Sequence, residues 1–131
     1  MSNPAAKEGD QVMATDIHII MIPSPGGPVP TPLPHPFTGK IDGGLSTDVN
    51  IDGKAAAVVG STATNSPAHI PQGGPFQVPP TDSATLIQGS TSVFINGKPA
   101  VYNGQTATTC NDPAPAPVGT VIAVGTVFIG S

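Results

Sequence analysis

Short runs of alternating apolar and polar residues, separated by turns rich in glycine and proline, make up much of this chain. Residues 49–53 read VNIDG and residues 93–97 read VFING. Alternation with a period of two is typical of β-strands, and Asp-Gly or Asn-Gly after such a run predicts a two-residue hairpin turn. No long apolar pattern with a period of 3.6 residues occurs, so the pattern predicts an all-β fold with minimal helix.

The hairpin pattern is repeated within the chain. DVNIDGKAAAVVGSTAT (48–64) aligns without gaps to SVFINGKPAVYNGQTAT (92–108), and the glycines and the Thr-Ala-Thr ending match as well as the strands. Short strands of the Val-x-Ile type resemble one another by chance, but the additional matches favour an internal duplication.

A third copy of the repeat is divided between the two ends of the chain. TVFIGS (126–131) matches the first strand of the hairpin, and PAAKEGD (4–10) matches PAVYNGQ (99–105) and AAAVVGS (55–61). We therefore expect one domain, residues 1–131, with three hairpin repeats in pseudo-threefold symmetry. The third hairpin is closed by the termini, and such closure leaves no free sheet edge.

Three proline-rich segments separate the repeats, at residues 22–36, 66–80 and 112–117. Glycine (16) and proline (17) form a quarter of the chain, a level that raises the question of disorder, but only 9% of the residues are charged and β-branched residues recur. We expect ordered, stiff surface arms of polyproline II conformation; peptide ligands for aromatic grooves are the alternative.

The composition excludes several classes of protein. The net charge is −4, with four lysines and no arginine, so nucleic acid is not an expected partner. No apolar run of about 20 residues occurs and the N-terminus lacks a signal-peptide pattern, so we expect no transmembrane segment and folding in the cytoplasm. A single cysteine excludes an internal disulfide.

The candidate chemistry lies in three histidines and that cysteine: His18, His35, His69 and Cys110. His18 and His69 follow their repeats at the same distance, and Cys110 follows the remaining repeat at a slightly shorter one, so threefold symmetry would bring them to a common axis. His35 is the candidate fourth ligand. Three imidazoles and one thiolate suit a closed, structural Zn²⁺ site, with iron as the less favoured metal. Singly, each would be an ordinary core or surface residue.

Two aspartates precede His18. Asp10 and Asp16 are candidates for a carboxylate that orients His18, although turn formation is the more common role of such residues. The sequence contains no GxSxG elbow and no phosphate-binding GxxxxGK loop. No catalytic residue is therefore predicted.

Taken together, these residues resemble the PAAR-repeat proteins, the spike-tip caps of contractile injection machines. PAAKEGD (4–10) is similar to the Pro-Ala-Ala-Arg signature of the family, with Lys7 in the place of arginine, and VFINGKPA (93–100) is similar to its strand-turn segment. Lys7 casts doubt on any arginine-specific role at this position, while the backbone pattern is kept.

The resemblance implies a small conical β domain on the blunt end of a homotrimeric, VgrG-like β-helical spike, one tip per trimer. It also implies a metal near the vertex, which falls on His18, His69 and Cys110, with His35 as the fourth ligand. The tip would be ejected towards a target cell, contact the membrane only transiently, and in some cases carry effector cargo. We expect no fused toxin domain. The resemblance does not distinguish a type VI secretion system from an extracellular particle or a phage tail.

Two other functions remain open on the residues alone. A metal-dependent hydrolase would use three histidines on zinc with Cys110 as a bystander, but no general base is evident. A secreted adhesin or carbohydrate-binding β domain would need aromatic platforms, and Tyr102 alone supplies little. For the spike-tip function, Phe94 and Phe128 are the candidate residues of the docking face.

Overall fold

The computed structural model describes residues 2–130 as strands, turns and loops, with no helix among them, which confirms the predicted all-β class. Of the predicted domain, Met1 and Ser131 lie outside the described residues. The described residues therefore include no helix that could cross a membrane. The strands of the described residues are β1 (Ser2–Pro4), β2 (Gln11–Ile22), β3 (Val29–Gly43), β4 (Asn50–Ile51), β5 (Lys54–Ala55), β6 (Thr62–Asn65), β7 (Ser83–Leu86), β8 (Phe94–Ile95), β9 (Lys98–Pro99), β10 (Thr106–Thr109), β11 (Ala116–Ile122) and β12 (Phe128–Gly130).

Three short hairpins, which we call the base hairpins, confirm the predicted repeats. β4 pairs with β5 through Asp52-Gly53, and β8 pairs with β9 through Asn96-Gly97. Both residues of each turn have positive φ, 51° and 79° in the first and 53° and 79° in the second, as a type I′ turn requires. The third hairpin joins the two ends of the chain, because β12 pairs antiparallel with β1 and places Ile129 opposite Asn3.

A ring of backbone hydrogen bonds relates the three repeats. The Ala6 N–H donates to the Val101 carbonyl (2.9 Å), Val101 to Ala57 (3.2 Å), and Ala57 back to Ala6 (3.0 Å). All three residues are completely buried. Each repeat thus donates to one neighbour and accepts from the other, which confirms the predicted pseudo-threefold arrangement.

The chain continues from each base hairpin into one hairpin of a closed six-stranded barrel, ordered β10-β11-β2-β3-β6-β7. Equivalent positions near the start of β2, β6 and β10 hold Val12, Ala63 and Ala107, all without solvent exposure. Their side chains form one core cluster with those of Phe37, Ile41, Leu86, Val121 and Cys110. Closure gives every strand a partner on both sides within the barrel, and residues 29–38 of β3 extend beyond it, paired with β2 alone.

The first proline-rich segment differs from its prediction. Residues 29–36 belong to β3, paired with β2, instead of forming a polyproline II arm. The four prolines of this stretch alternate with other residues and lie opposite the odd-numbered residues of β2. Those β2 residues direct their backbone groups to the other side, where the Ile17 N–H meets Asn111 and the Met21 N–H meets Pro75. β3 pairs with β6 only from residue 39 onwards, so prolines on this outer edge replace no ladder bond.

Candidate metal centre

A buried group of four side chains lies at the end of the barrel that is farthest from the base hairpins. Asp16, His18, His69 and Cys110 each present one potential ligand atom, and all four atoms lie within 4.8 Å of one another. His18 comes from β2, Cys110 directly follows β10, and His69 lies in the loop after β6. The structure thus brings together the three residues that the repeat spacing predicted to converge, one from each repeat, and β2 adds Asp16 as the fourth member.

Close contacts join the members of this group in pairs. His69 Nε2 lies 3.0 Å from Asp16 Oδ2, and Cys110 Sγ lies 3.4 Å from the same oxygen. His18 Nε2 lies 3.6 Å from Cys110 Sγ. The Thr109 hydroxyl donates to the other oxygen of Asp16. Asp16 and His18 are almost completely buried. The potential ligand atoms of the group therefore face one another in a space that excludes bulk water.

His35, the predicted fourth ligand, lies beside this group and not within it. It is directly opposite Asp16 in the β2–β3 ladder, and its ring centroid is 5.5 Å from that of His18 and 5.6 Å from that of His69. Its Nδ1 donates to the Leu33 carbonyl at 2.9 Å. A carbonyl can only accept, so the proton of the neutral ring is on Nδ1 and the Nε2 lone pair is available to a metal.

Asp16 is the member that the sequence interpretation placed incorrectly. Turn formation describes Asp10, whose carboxylate accepts from the Lys7 backbone N–H at 3.1 Å, but Asp16 lies within β2 and is fully buried. Its hydrogen bonds and ion pairs within residues 2–130 go to His69 and to the uncharged side chains of Thr109, Cys110 and Asn111. The period of two along β2, which puts Asp16 on the same face as His18, is the signal that could have found it.

The protein environment favours the uncharged forms of Cys110 and His18. Burial, and secondarily the neighbouring Asp16, raises the pKa of the Cys110 thiol to about 11. Burial, and secondarily His69, lowers the pKa of His18. The thiol and the His18 imidazole are therefore both neutral at pH 7 when no cation is bound, while a carboxyl group is buried beside them.

A metal ion fits this donor set. Two or three imidazoles with one thiolate are soft-to-borderline ligands of the kind that zinc takes, and a buried carboxylate is stabilised by a nearby cation. A metal ion bound here would link segments from all three repeats.

A cavity of about 250 Å³ lies on one side of the group. His35 and His69 form part of its wall, and the rest comes from residues 34–38 and 65–72. Phe76 covers the neighbouring side, with its ring centroid 5.8 Å from that of His18 and 5.5 Å from that of His35. The group is thus enclosed by protein except where the cavity approaches the two histidines.

The comparisons agree with the geometry. The family model for the PAAR motif matches residues 21–116, well over half of the chain. The chain belongs to the PAAR-motif family. PAAR proteins are structural spike-tip proteins and are not known as enzymes. The matched residues include His35, His69 and Cys110, and His18 lies just before them. No curated protein matches the chain.

Proposed function

We propose that this PAAR protein caps and sharpens a homotrimeric, VgrG-like β-helical spike and is driven with it through a target membrane. The observation that carries the proposal is the hydrogen-bonded ring of Ala6, Ala57 and Val101, because a tip with three equivalent sectors matches the symmetry of three identical chains. The protein would fold in the cytoplasm and be assembled at the end of an injection particle.

The surface that suits docking is formed by the base hairpins. Phe94 and Phe128 occupy equivalent places on β8 and β12, and each side chain is 57% exposed. The equivalent place on β4 holds Asn50, which is also exposed. Two exposed aromatic side chains on one face are the type of apolar feature that a protein partner covers.

Mixing the protein with a trimeric spike is expected to give a complex of one tip and three spike chains. Native mass spectrometry measures this stoichiometry directly. Replacing Phe94 and Phe128 by Ala should weaken the complex, since aromatic side chains at an interface commonly contribute 2 kcal/mol or more, about a thirtyfold change in Kd. Ile70→Ala is the matched control, because Ile70 is exposed (66%) on the loop that carries His69, away from the base hairpins. Three tips per trimer, or no complex with any such spike, would refute the proposal.

We further propose that the tip is locked by one zinc ion, held by His18, His69 and Cys110 with His35 as the fourth ligand. Support comes from the mutual approach of the first three side chains and from the free Nε2 of His35. Asp16 would then lie beside the ligands and offset the charge of the ion. Four protein ligands leave no position for a reactive water, so this site would be structural.

The apparent affinity for zinc is expected to rise with pH through the neutral range. The Cys110 thiol, with its pKa of about 11, must release one proton on binding, whereas the pKa of His18 is lowered and its ring is already neutral at pH 7. One released proton corresponds to about a tenfold increase in the binding constant per pH unit. Chelator-competition titrations between about pH 6 and 8 measure the slope; no slope would exclude thiolate ligation.

The alternative function, a metal-dependent hydrolase, is favoured by one feature. The cavity of about 250 Å³ reaches His35 and His69, and an open metal position there could admit a small substrate. A zinc-loaded sample tested on activated esters and phosphodiesters distinguishes the two functions. We expect no turnover, because a closed site lacks a metal-bound water.

A further inference from the structure

The two ring nitrogens of His18 face different parts of the protein. Nε2 is directed at the group formed with Asp16, His69 and Cys110, which we call the metal group, and it lies 3.6 Å from Cys110 Sγ. Nδ1 is buried on the other side of the ring and has no hydrogen-bond partner among residues 2–130. The carboxylate within 4.0 Å of this nitrogen is that of Asp112, whose Oδ2 lies 3.5 Å away. The exposed fractions of the two side chains are only 1% and 10%, so water does not compete strongly for this contact.

Two hydrogen bonds hold Asp112 against β2, one to each of the residues that flank His18. Its Oδ2 accepts from the Ile19 N–H at 2.8 Å, and its own N–H donates to the Ile17 carbonyl at 2.8 Å. The preceding Asn111 accepts from the Ile17 N–H at 2.7 Å. The loop that follows Cys110 thus clamps the strand that carries His18, and it brings a carboxylate to the ring nitrogen that does not face the metal group.

We propose that Asp112 is the positioning residue of His18: its carboxylate, 3.5 Å from Nδ1, attracts the proton of the neutral ring to Nδ1 and so leaves the lone pair of Nε2 directed at the metal group. A neutral imidazole carries one proton, and the partner of one nitrogen decides which nitrogen can bind a metal. A carboxylate in this place also makes the ligating nitrogen a stronger donor. The repeat at residues 92–108 would then be followed by a ligand, Cys110, and by the group that orients His18, the ligand that follows the repeat divided between the termini.

The Nδ1 atoms of the other two histidines contact groups other than Asp112, so the effect of Asp112 on His18 can be tested separately. His35 Nδ1 donates to the Leu33 carbonyl at 2.9 Å. His69 Nδ1 faces the Asn65 amide at 3.4 Å, and that amide is held by Asp82 at 3.0 Å. A change at Asp112 should therefore alter His18 and leave the tautomers of the other two rings unchanged.

The test is the tautomer of His18 in the full-length, metal-free protein, read from the ¹⁵N chemical shifts of its ring. This readout needs no metal, so it decides the positioning role even if the proposed zinc site is wrong. We expect the Nδ1–H form to dominate in the wild type and the Nε2–H form to become substantially populated in Asp112→Ala. Asp112→Asn should be intermediate, because an amide oxygen can still accept from the Ile19 N–H and presents a negative dipole to the ring, but it carries no full charge. If Asp112→Ala does not fold, Asp112→Asn carries the test.

The matched control is Asn111→Ala, which removes a clamp on the same strand without removing the carboxylate beside His18. Its His18 tautomer should equal that of the wild type. An Nε2–H form in the wild type, an unchanged tautomer in the Asp112 variants, or equal changes in the Asn111 and Asp112 variants would each overturn the proposal. If zinc binds, Asp112→Ala should weaken its affinity about 10–100-fold with the stoichiometry unchanged; absence of zinc from the wild type would refute only the metal proposal.

Discussion

Replacement of Cys110 by Ser, or of His69 by Ala, is expected to abolish metal binding and to loosen the end of the barrel that holds the site. Either change removes one of the three side chains that different repeats contribute to the group. A serine hydroxyl is a poor substitute for a thiolate on zinc, and an alanine provides no ligand. The base hairpins should remain intact, because their strands pair without help from the site. Hydrogen exchange should show faster opening near His18 and unchanged protection in the ring around Ala6.

Elemental analysis of the untagged protein provides the measurement. About one zinc per chain in the wild type supports the site, one iron per chain would keep the site and change the metal, and no metal after growth in replete medium would refute it. Thr108→Ser is the matched control, since Thr108 precedes the site on β10 but lies outside the metal group. Comparing His35→Ala with Asp16→Asn identifies the fourth ligand: we expect the larger loss of affinity in His35→Ala.

Deletion of residues 126–131 is expected to prevent stable folding, although the segment is terminal. The deletion removes β12, the partner of β1, and with it the buried side chain of Ile129, which belongs to the same apolar cluster as Ile51 and Ile95 of the other two base hairpins. It also removes the Gly130 carbonyl that accepts from the Ser90 hydroxyl at 2.8 Å, and the Thr126 backbone N–H that donates to Asp52 at 2.8 Å. Losing a buried isoleucine alone costs about 2–5 kcal/mol, a large part of the 5–15 kcal/mol that typically stabilises a domain.

Thermal unfolding of the truncated chain measures this effect, and two point variants refine it. Ile129→Ala should lower the melting temperature strongly, whereas Phe128→Ala should change it little, because the neighbouring phenylalanine is 57% exposed. A truncated chain that melts within a few degrees of the full-length protein would show that closure by the termini is unnecessary.

Much of the architecture could be predicted from the sequence, because local rules determine it. Asp52-Gly53 and Asn96-Gly97 specify tight turns through their tolerance of positive φ, and these turns are present. Residues 126–131 resemble residues 92–97, the first strand of a hairpin. This predicted that the two ends of the chain would pair, because equivalent strands of a repeat have equivalent partners. Repeat phase predicted that His18, His69 and Cys110 would converge, because symmetry carries equivalent positions to one axis.

Only the tertiary structure decided the remaining features, because each depends on what lies across from a residue. A proline can occupy a strand only on an edge without a hydrogen-bonding neighbour, and residues 29–36 meet that condition through their pairing with β2, which composition cannot reveal. Aspartate is a common turn residue, so neither Asp16 nor Asp112 could be singled out from its type. In the folded protein Asp16 is buried within the metal group, and the loop after β10 brings the carboxylate of Asp112 to 3.5 Å from His18 Nδ1. His35 has a side chain that can bind a metal. Its distance from the other candidate ligands depends on the register of β2 against β3, and that register is set only when the two strands pair in the folded protein.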